Sequence, residues 1–193
     1  MRIIGGRWRR RRIAVPEGDA IRPTPDRVRE TVFNWLAPTI GGARCLDLFA
    51  GSGAFGIEAA SRGAQHVVMV EREPALAEKL IEEVNALGAG EQVSVRRSDA
   101  LALLELGAAE PFDVVFVDPP YGNNLEGPVC AALDAGGWLA EDALIYVETN
   151  RAAKMQWPAD WEVLREKEAG QVRYYLARST PARADGAVKQ EEC

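Results

Sequence analysis

From residue 44 onward, short apolar runs alternate with amphipathic stretches, and this rhythm limits the folds open to the chain more than any other feature. Val67-Val68-Met69-Val70, Val114-Val115-Phe116-Val117 and Leu144-Ile145-Tyr146-Val147 are unbroken apolar runs. Strands of that kind need cover on both faces, which helices on each side of a parallel sheet supply. The pattern predicts strands over residues 45–49, 67–70, 93–95, 114–117 and 144–147. Helices are predicted over residues 54–62, 74–87, 101–106 and 125–135, with Gly63 and Gly88 placed to end two of them. Residues 161–167 and 172–178 flank Gly170-Gln171 with no helix between them, which predicts an antiparallel pair at the sheet edge. The expected class is α/β.

Ahead of this core, Thr24-Pro25-Asp26 reads as a helix start: a capping hydroxyl, proline at the first helical position and an acid in the first turn. Val28, Val32, Trp35 and Leu36 recur at helical spacing, and Pro38 follows. Residues 1–15 read as two short strands around the Gly5-Gly6 turn. Arg2, Arg7, Arg9, Arg10, Arg11 and Arg12 stand there with no acid among the first twelve residues. The formal net charge of the chain is −6, so the rest carries −12. A basic arm on an acidic body points to one localised anionic contact. The division expected is an N-terminal basic hairpin over 1–23, one α/β domain over 24–179 and a disordered tail over 180–193.

Several classes lose support at this level. No apolar run approaches the roughly 20 residues that cross a bilayer, and no apolar segment follows the N-terminal charges. Cys45, Cys130 and Cys193 fit neither a zinc spacing nor a disulfide framework, so the expectation is a reducing, cytoplasmic setting with no metal. His66 is the only histidine, which leaves no histidine-based triad. No Gly-x-x-x-x-Gly-Lys-Ser/Thr loop occurs, against a phosphate-transfer NTPase.

Four segments carry chemistry. Asp47-Leu48-Phe49-Ala50-Gly51-Ser52-Gly53-Ala54-Phe55-Gly56 joins the first strand to its helix, where glycines let backbone approach a ligand and a helix start offers N–H groups. Gly51-x-Gly53-x-x-Gly56 also matches the dinucleotide fingerprint, so a nicotinamide oxidoreductase stays open. Glu71 ends the second strand, 24 residues after Asp47, where a carboxylate can accept from both ribose hydroxyls. Asp99, after the third strand, reads first as a helix cap and also as an acceptor for an adenine amine. Asp118-Pro119-Pro120-Tyr121 follows the fourth strand. Its prolines donate no N–H, so nearby carbonyls stay available, Asp118 adds an acceptor and Tyr121 an aromatic plane. Together they can hold an aromatic amine by its two N–H groups while its ring stacks. Accepting both protons draws the nitrogen toward tetrahedral geometry and exposes its lone pair.

With these residues in view the chain resembles the RsmD family, bacterial 16S rRNA guanine-N2 methyltransferases. The resemblance covers about residues 1–178. It rests on Met1-Arg2-Ile3-Ile4-Gly5-Gly6, Arg22-Pro23-Thr24-Pro25-Asp26-Arg27-Val28-Arg29-Glu30-Thr31, Asp47 to Gly53, Asp118 to Tyr121, Gly137-Trp138-Leu139 and Ala169-Gly170-Gln171-Val172. It implies a class I methyltransferase, Rossmann-like three-layer sandwich: a seven-stranded, mostly parallel sheet with one antiparallel strand, plus the small N-terminal β-hairpin. It implies S-adenosylmethionine as cofactor and a guanine amine of 16S rRNA as acceptor. Carried over by position, Gly51 to Gly53 would meet the methionine moiety, with Thr24 and Arg27 closing over it. Glu71 would hold the ribose and Asp99 the adenine. Asp47, Phe49, Ala50, Ser52, Arg72, Ala100 and Asp118 complete the implied cofactor set. Asp118, Pro119, Pro120 and Tyr121 would bind the guanine as the catalytic group, and the arm arginines the RNA. The family has no separate RNA-binding domain, which implies an assembled or assembling small ribosomal subunit as partner, met by a monomer. Two other acceptors remain for the same chemistry, adenine N6 and a protein glutamine amide; Asp118 in place of asparagine weighs against glutamine. A non-catalytic RNA-binding module using the arginine arm is the remaining reading.

Overall fold

The computed structural model describes residues 1–14, 24–120, 122 and 124–180. The expectations for Arg22, Pro23, Tyr121 and most of the C-terminal tail therefore lie outside the described residues. The elements are α1 (Asp26–Trp35), β1 (Arg44–Asp47), α2 (Gly56–Ser61), β2 (His66–Glu71), α3 (Pro74–Ala86), β3 (Val93–Arg97), α4 (Ala100–Leu104), β4 (Phe112–Val117), α5 (Glu126–Ala135), β5 (Leu139–Asn150), β6 (Trp161–Ala169) and β7 (Val172–Ser179).

One seven-stranded sheet runs in the order β3-β2-β1-β4-β5-β7-β6. β1 to β5 pair in parallel, and β7 is antiparallel to both β5 and β6. Strand faces sort the core into two layers, because successive side chains point to opposite sides. Cys45, Met69, Val114, Phe116 and Tyr146 pack with α1, α2 and α3 on one face. Leu46, Val70, Val115, Val117 and Ile145 pack with α4 and α5 on the other. The chain winds outward through β2 and β3 on one side of β1 and through β4 and β5 on the other. The carboxyl ends of β1 and β4 thus lie at the switch point, where open α/β sheets bind ligands. Among the described residues no helix is long and apolar enough to cross a membrane.

Three local expectations change. The Thr24 hydroxyl does not cap α1, whose N-cap is Pro25 with no side-chain cap bond; the hydroxyl is engaged by a distant partner described below. The helix predicted over 54–62 begins only at Gly56, because residues 51–55 are spent on a turn. β5 is far longer than its apolar run: its longest continuous apolar stretch is 143–147, one residue longer than expected, and the polar residues Glu141 and Asp142 are exposed.

The arm over 1–14 forms one bridge pair, Arg2 with Arg12, rather than two regular strands. Part of its backbone bonds to α2 instead. Ile4 and Gly5 donate N–H to the Glu58 carboxylate at 2.8 and 2.7 Å. The Arg7 N–H donates to the Ser61 carbonyl, and the Trp8 N–H to the Ser61 hydroxyl. Ile3, Trp8 and Ile13 are buried in the same layer as α1 and α2. Gly6 has φ +72°, and a Cβ there would meet the Ser61 carbonyl oxygen at 1.8 Å, so only glycine permits this approach. All six arm arginines are exposed. Arg2 pairs with Asp26, Arg7 reaches Gln92 and Arg11 the Ala86 carbonyl.

Candidate active site

The loop after β1 is built around a buried acid. Asp47 is 1% exposed, and its Oδ2 accepts the Gly56 N–H at 2.8 Å. The first N–H of α2 is thereby taken by the protein's own carboxylate. Gly56 also lies against Met69, with its hypothetical Cβ 2.6 Å from that side chain, so the close packing leaves no room for a larger residue. Burial raises the Asp47 carboxyl to about 7, against the lowering effect of the backbone N–H groups of Gly56 and Phe49. Ala50 donates N–H to the Val70 carbonyl and Leu48 to the Phe116 carbonyl, which ties the loop to both neighbouring strands.

Glu71, at the end of β2, is half-buried and oriented by two backbone donors. Its Oε2 accepts from Gly51 at 2.9 Å and its Oε1 from Glu73 at 2.7 Å. A carboxylate has about four acceptor positions, so two remain for hydroxyls. Asp99 is the N-cap of α4: Oδ1 alone accepts from Leu101 and Ala102 at 3.0 and 3.3 Å. Its Oδ2 remains free of those bonds, so both sequence readings of Asp99 fit one side chain.

Asp118 continues directly from β4. Its Oδ2 accepts a hydrogen bond at 3.2 Å from Thr24, 94 residues earlier. Desolvation raises its carboxyl well above the ordinary range, and the charges of Glu148 and Asp47 add to the rise. Pro119 is buried and Pro120 exposed.

These segments line one cavity of about 540 Å³. Thr24, Phe49, Ala50, Gly51, Ser52, Glu71, Arg72, Asp99, Ala100, Asp118, Pro119 and Pro120 contribute to its wall, so most of the expected site comes together. Asp47 and Gly53 lie beneath the loop and Arg27 is exposed outside the lining. Tyr121 falls outside the described residues. Sequence reasoning missed the apolar walls, Leu48, Phe55, Val70, Leu76 and Leu125, together with Ser98. Of these, Phe55 had a local signal, an aromatic inside the glycine motif; its ring stacks on Phe116 at 5.1 Å and meets Tyr146 at 4.7 Å. Among the described residues no group of three or more His, Cys, Asp or Glu could hold a metal ion.

Residues 1–178 match a family described as conserved hypothetical protein 95. The chain is similar to the ribosomal RNA small subunit methyltransferase D of Escherichia coli (strain K12), with 48% identity over 177 residues spanning 91% of this chain and 88% of that one. The protein of the same name from Haemophilus influenzae is 43% identical over 178 residues, covering 91% and 92%. The solved structure of yhhF from Escherichia coli superposes with a TM-score of 0.86 at 44% identity, covering 94% of this chain and 98% of that one.

Proposed function

Because the chain belongs to the RsmD family of S-adenosylmethionine-dependent rRNA methyltransferases, we propose that it methylates the exocyclic N2 amine of one guanine in 16S rRNA, on the assembled or assembling 30S subunit. The observation that carries this reading is Asp118, half-buried, aimed by Thr24 and followed by two prolines on the wall of the cavity. A neutral aromatic amine has two N–H groups to give, and this corner presents acceptors.

The cavity fits the cofactor. Glu71 keeps acceptor capacity for the ribose hydroxyls, Asp99 keeps one oxygen for the adenine amine, and Leu76 and Val70 give apolar surface. Phe49 to Ser52 and Thr24 would border the methionine end, where a bound cation would favour ionisation of the nearby Asp47 and Asp118 carboxyls. When bound, S-adenosylmethionine supplies a methyl group already activated on a sulfonium. The protein's part is then to hold the amine, accept its protons and exclude water. The exposed arginines of the arm supply attraction to phosphate.

The test is methyl transfer from labelled cofactor to 30S subunits lacking the modification, followed by nuclease digestion. N2-methylguanine is the expected product. Label in N6-methyladenine, in protein or in no product would overturn the acceptor.

A further inference from the structure

β4 and β5 run side by side with Val115 beside Ile145, Phe116 beside Tyr146 and Val117 beside Val147. Continued one step past Val117 and Val147, this register brings Asp118 toward Glu148, whose charge acts on the Asp118 carboxyl. Residues two apart share a face. Asp118 and Glu148 therefore point to the side of Phe116 and Tyr146, the layer that α1 and α2 cover. Tyr146 is fully buried, and its hydroxyl donates to Glu148 Oε2 at 2.7 Å. Glu148 is itself only 6% exposed. The amine site is thus backed by a second buried carboxyl group, steered by a buried phenol, which the reading above does not use.

We infer that Glu148, oriented by Tyr146, is a positioning residue that sets the proton affinity of Asp118, the group that receives the proton shed by the acceptor nitrogen. The inference rests on the acceptor role of Asp118 proposed above. The nitrogen lone pair forms the new N–C bond, and the electrons of the broken C–S bond stay on sulfur as a neutral thioether. The nitrogen is left cationic, and one N–H proton passes to an oxygen of Asp118. A negative neighbour favours the positive charge arriving on nitrogen and moves Asp118 toward the proton affinity that suits transfer near neutral pH. Among the described residues, the charged and polar groups around Asp118 are Glu148 from β5, Asp47 from β1, Glu126 from α5 and the Thr24 hydroxyl ahead of α1. Of the three charges Glu148 acts most strongly on Asp118, and burial together with Glu148 raises the Tyr146 phenol well above its ordinary range.

The experiment titrates the Asp118 carboxyl by carbon NMR in cofactor-free protein labelled at aspartate, with Asp118→Asn assigning the signal. Glu148→Gln is expected to lower its midpoint by about one pH unit or more. The acid limb of kcat on 30S subunits should move by the same amount, with KM and S-adenosylhomocysteine affinity within about twofold. Glu148→Asp, which keeps the charge, should recover most of the midpoint. An unchanged midpoint in Glu148→Gln, or an equal fall in Glu148→Asp, overturns the inference. Should Glu148→Gln not fold, Tyr146→Phe replaces it: kcat lowered by about threefold or more, at constant KM, is expected, and wild-type kcat overturns the role of the pair. Wild-type protein that leaves 30S subunits unmethylated would overturn the acceptor reading, while the NMR titration still decides the coupling.

Discussion

Asp47 and Asp118 invite comparison because they look alike in sequence: each follows a buried parallel strand, and each opens a motif. Their surroundings differ. Asp47 is buried under its own loop and accepts the Gly56 N–H nine residues on. It is a fastener that turns the chain from β1 into α2. Asp118 is followed by two residues that cannot donate, Pro119 and Pro120, and its bond comes from Thr24, 94 residues earlier. It keeps acceptor capacity and faces the cavity. The same residue type at the same kind of position is a structural fastener where the local backbone can satisfy it, and is left open to the cavity where proline denies it that satisfaction.

The sharpest way to break this contrast is to remove each carboxylate. Asp118→Ala should cut turnover by about a thousandfold or more, with S-adenosylhomocysteine affinity by calorimetry within a few-fold of wild type. Near-normal turnover would put the acceptor role elsewhere. Asp47→Ala should do the reverse in kind: it strands the buried Gly56 N–H, costs about 1–3 kcal/mol in urea unfolding and weakens cofactor binding.

A subtler variant uses pH. The Asp47 carboxyl rises from 3.8 to about 7 in the folded state, so between those values the folded protein binds a proton that the unfolded chain does not. Stability should therefore fall as pH rises through that window. Asp47→Asn keeps an acceptor for Gly56 and removes the titration. The loss between pH 5 and 8 should shrink by on the order of 1–3 kcal/mol relative to wild type, and parallel curves would show that another group carries it. Thr24→Val tests the long-range half of the comparison: about a tenfold loss of kcat with little change in melting temperature is expected.

The arm gives the smallest effects. Changing Arg9, Arg10 and Arg12 to Gln should weaken 30S binding and lower the salt slope by about 2, at unchanged kcat. Gly6→Ala should undock the arm from Ser61 and lower the melting temperature. A salt slope equal to wild type in the first variant would remove the arm from the RNA contact.

Much of the site was legible because its parts are local. The glycine turn, Glu71, Asp99 and the Asp-Pro-Pro segment each follow a strand, and an apolar run fixes where a strand ends. What stayed hidden depends on contacts between distant segments. Nothing near Thr24 says that its hydroxyl bonds to Asp118 rather than to the start of α1. Glu58 reads as an ordinary helical acid, yet it holds the backbone of Ile4 and Gly5 and pairs with Arg62 at 2.7 Å and with the buried Arg29 at 3.8 Å. Glu148 follows an apolar run without any motif of its own.

The amino-acid sequence by itself determined the parallel α/β sheet, its strand ends and the order of the motifs along them, because hydrophobic periodicity and turn residues act within a few positions. The tertiary structure alone decided which carboxylate is satisfied and which is open, and which acids lie side by side. Those outcomes depend on strand order and register, which bring residues 24, 118 and 148 to one corner, and on the loss of solvent there, which makes each hydrogen bond and each neighbouring charge count.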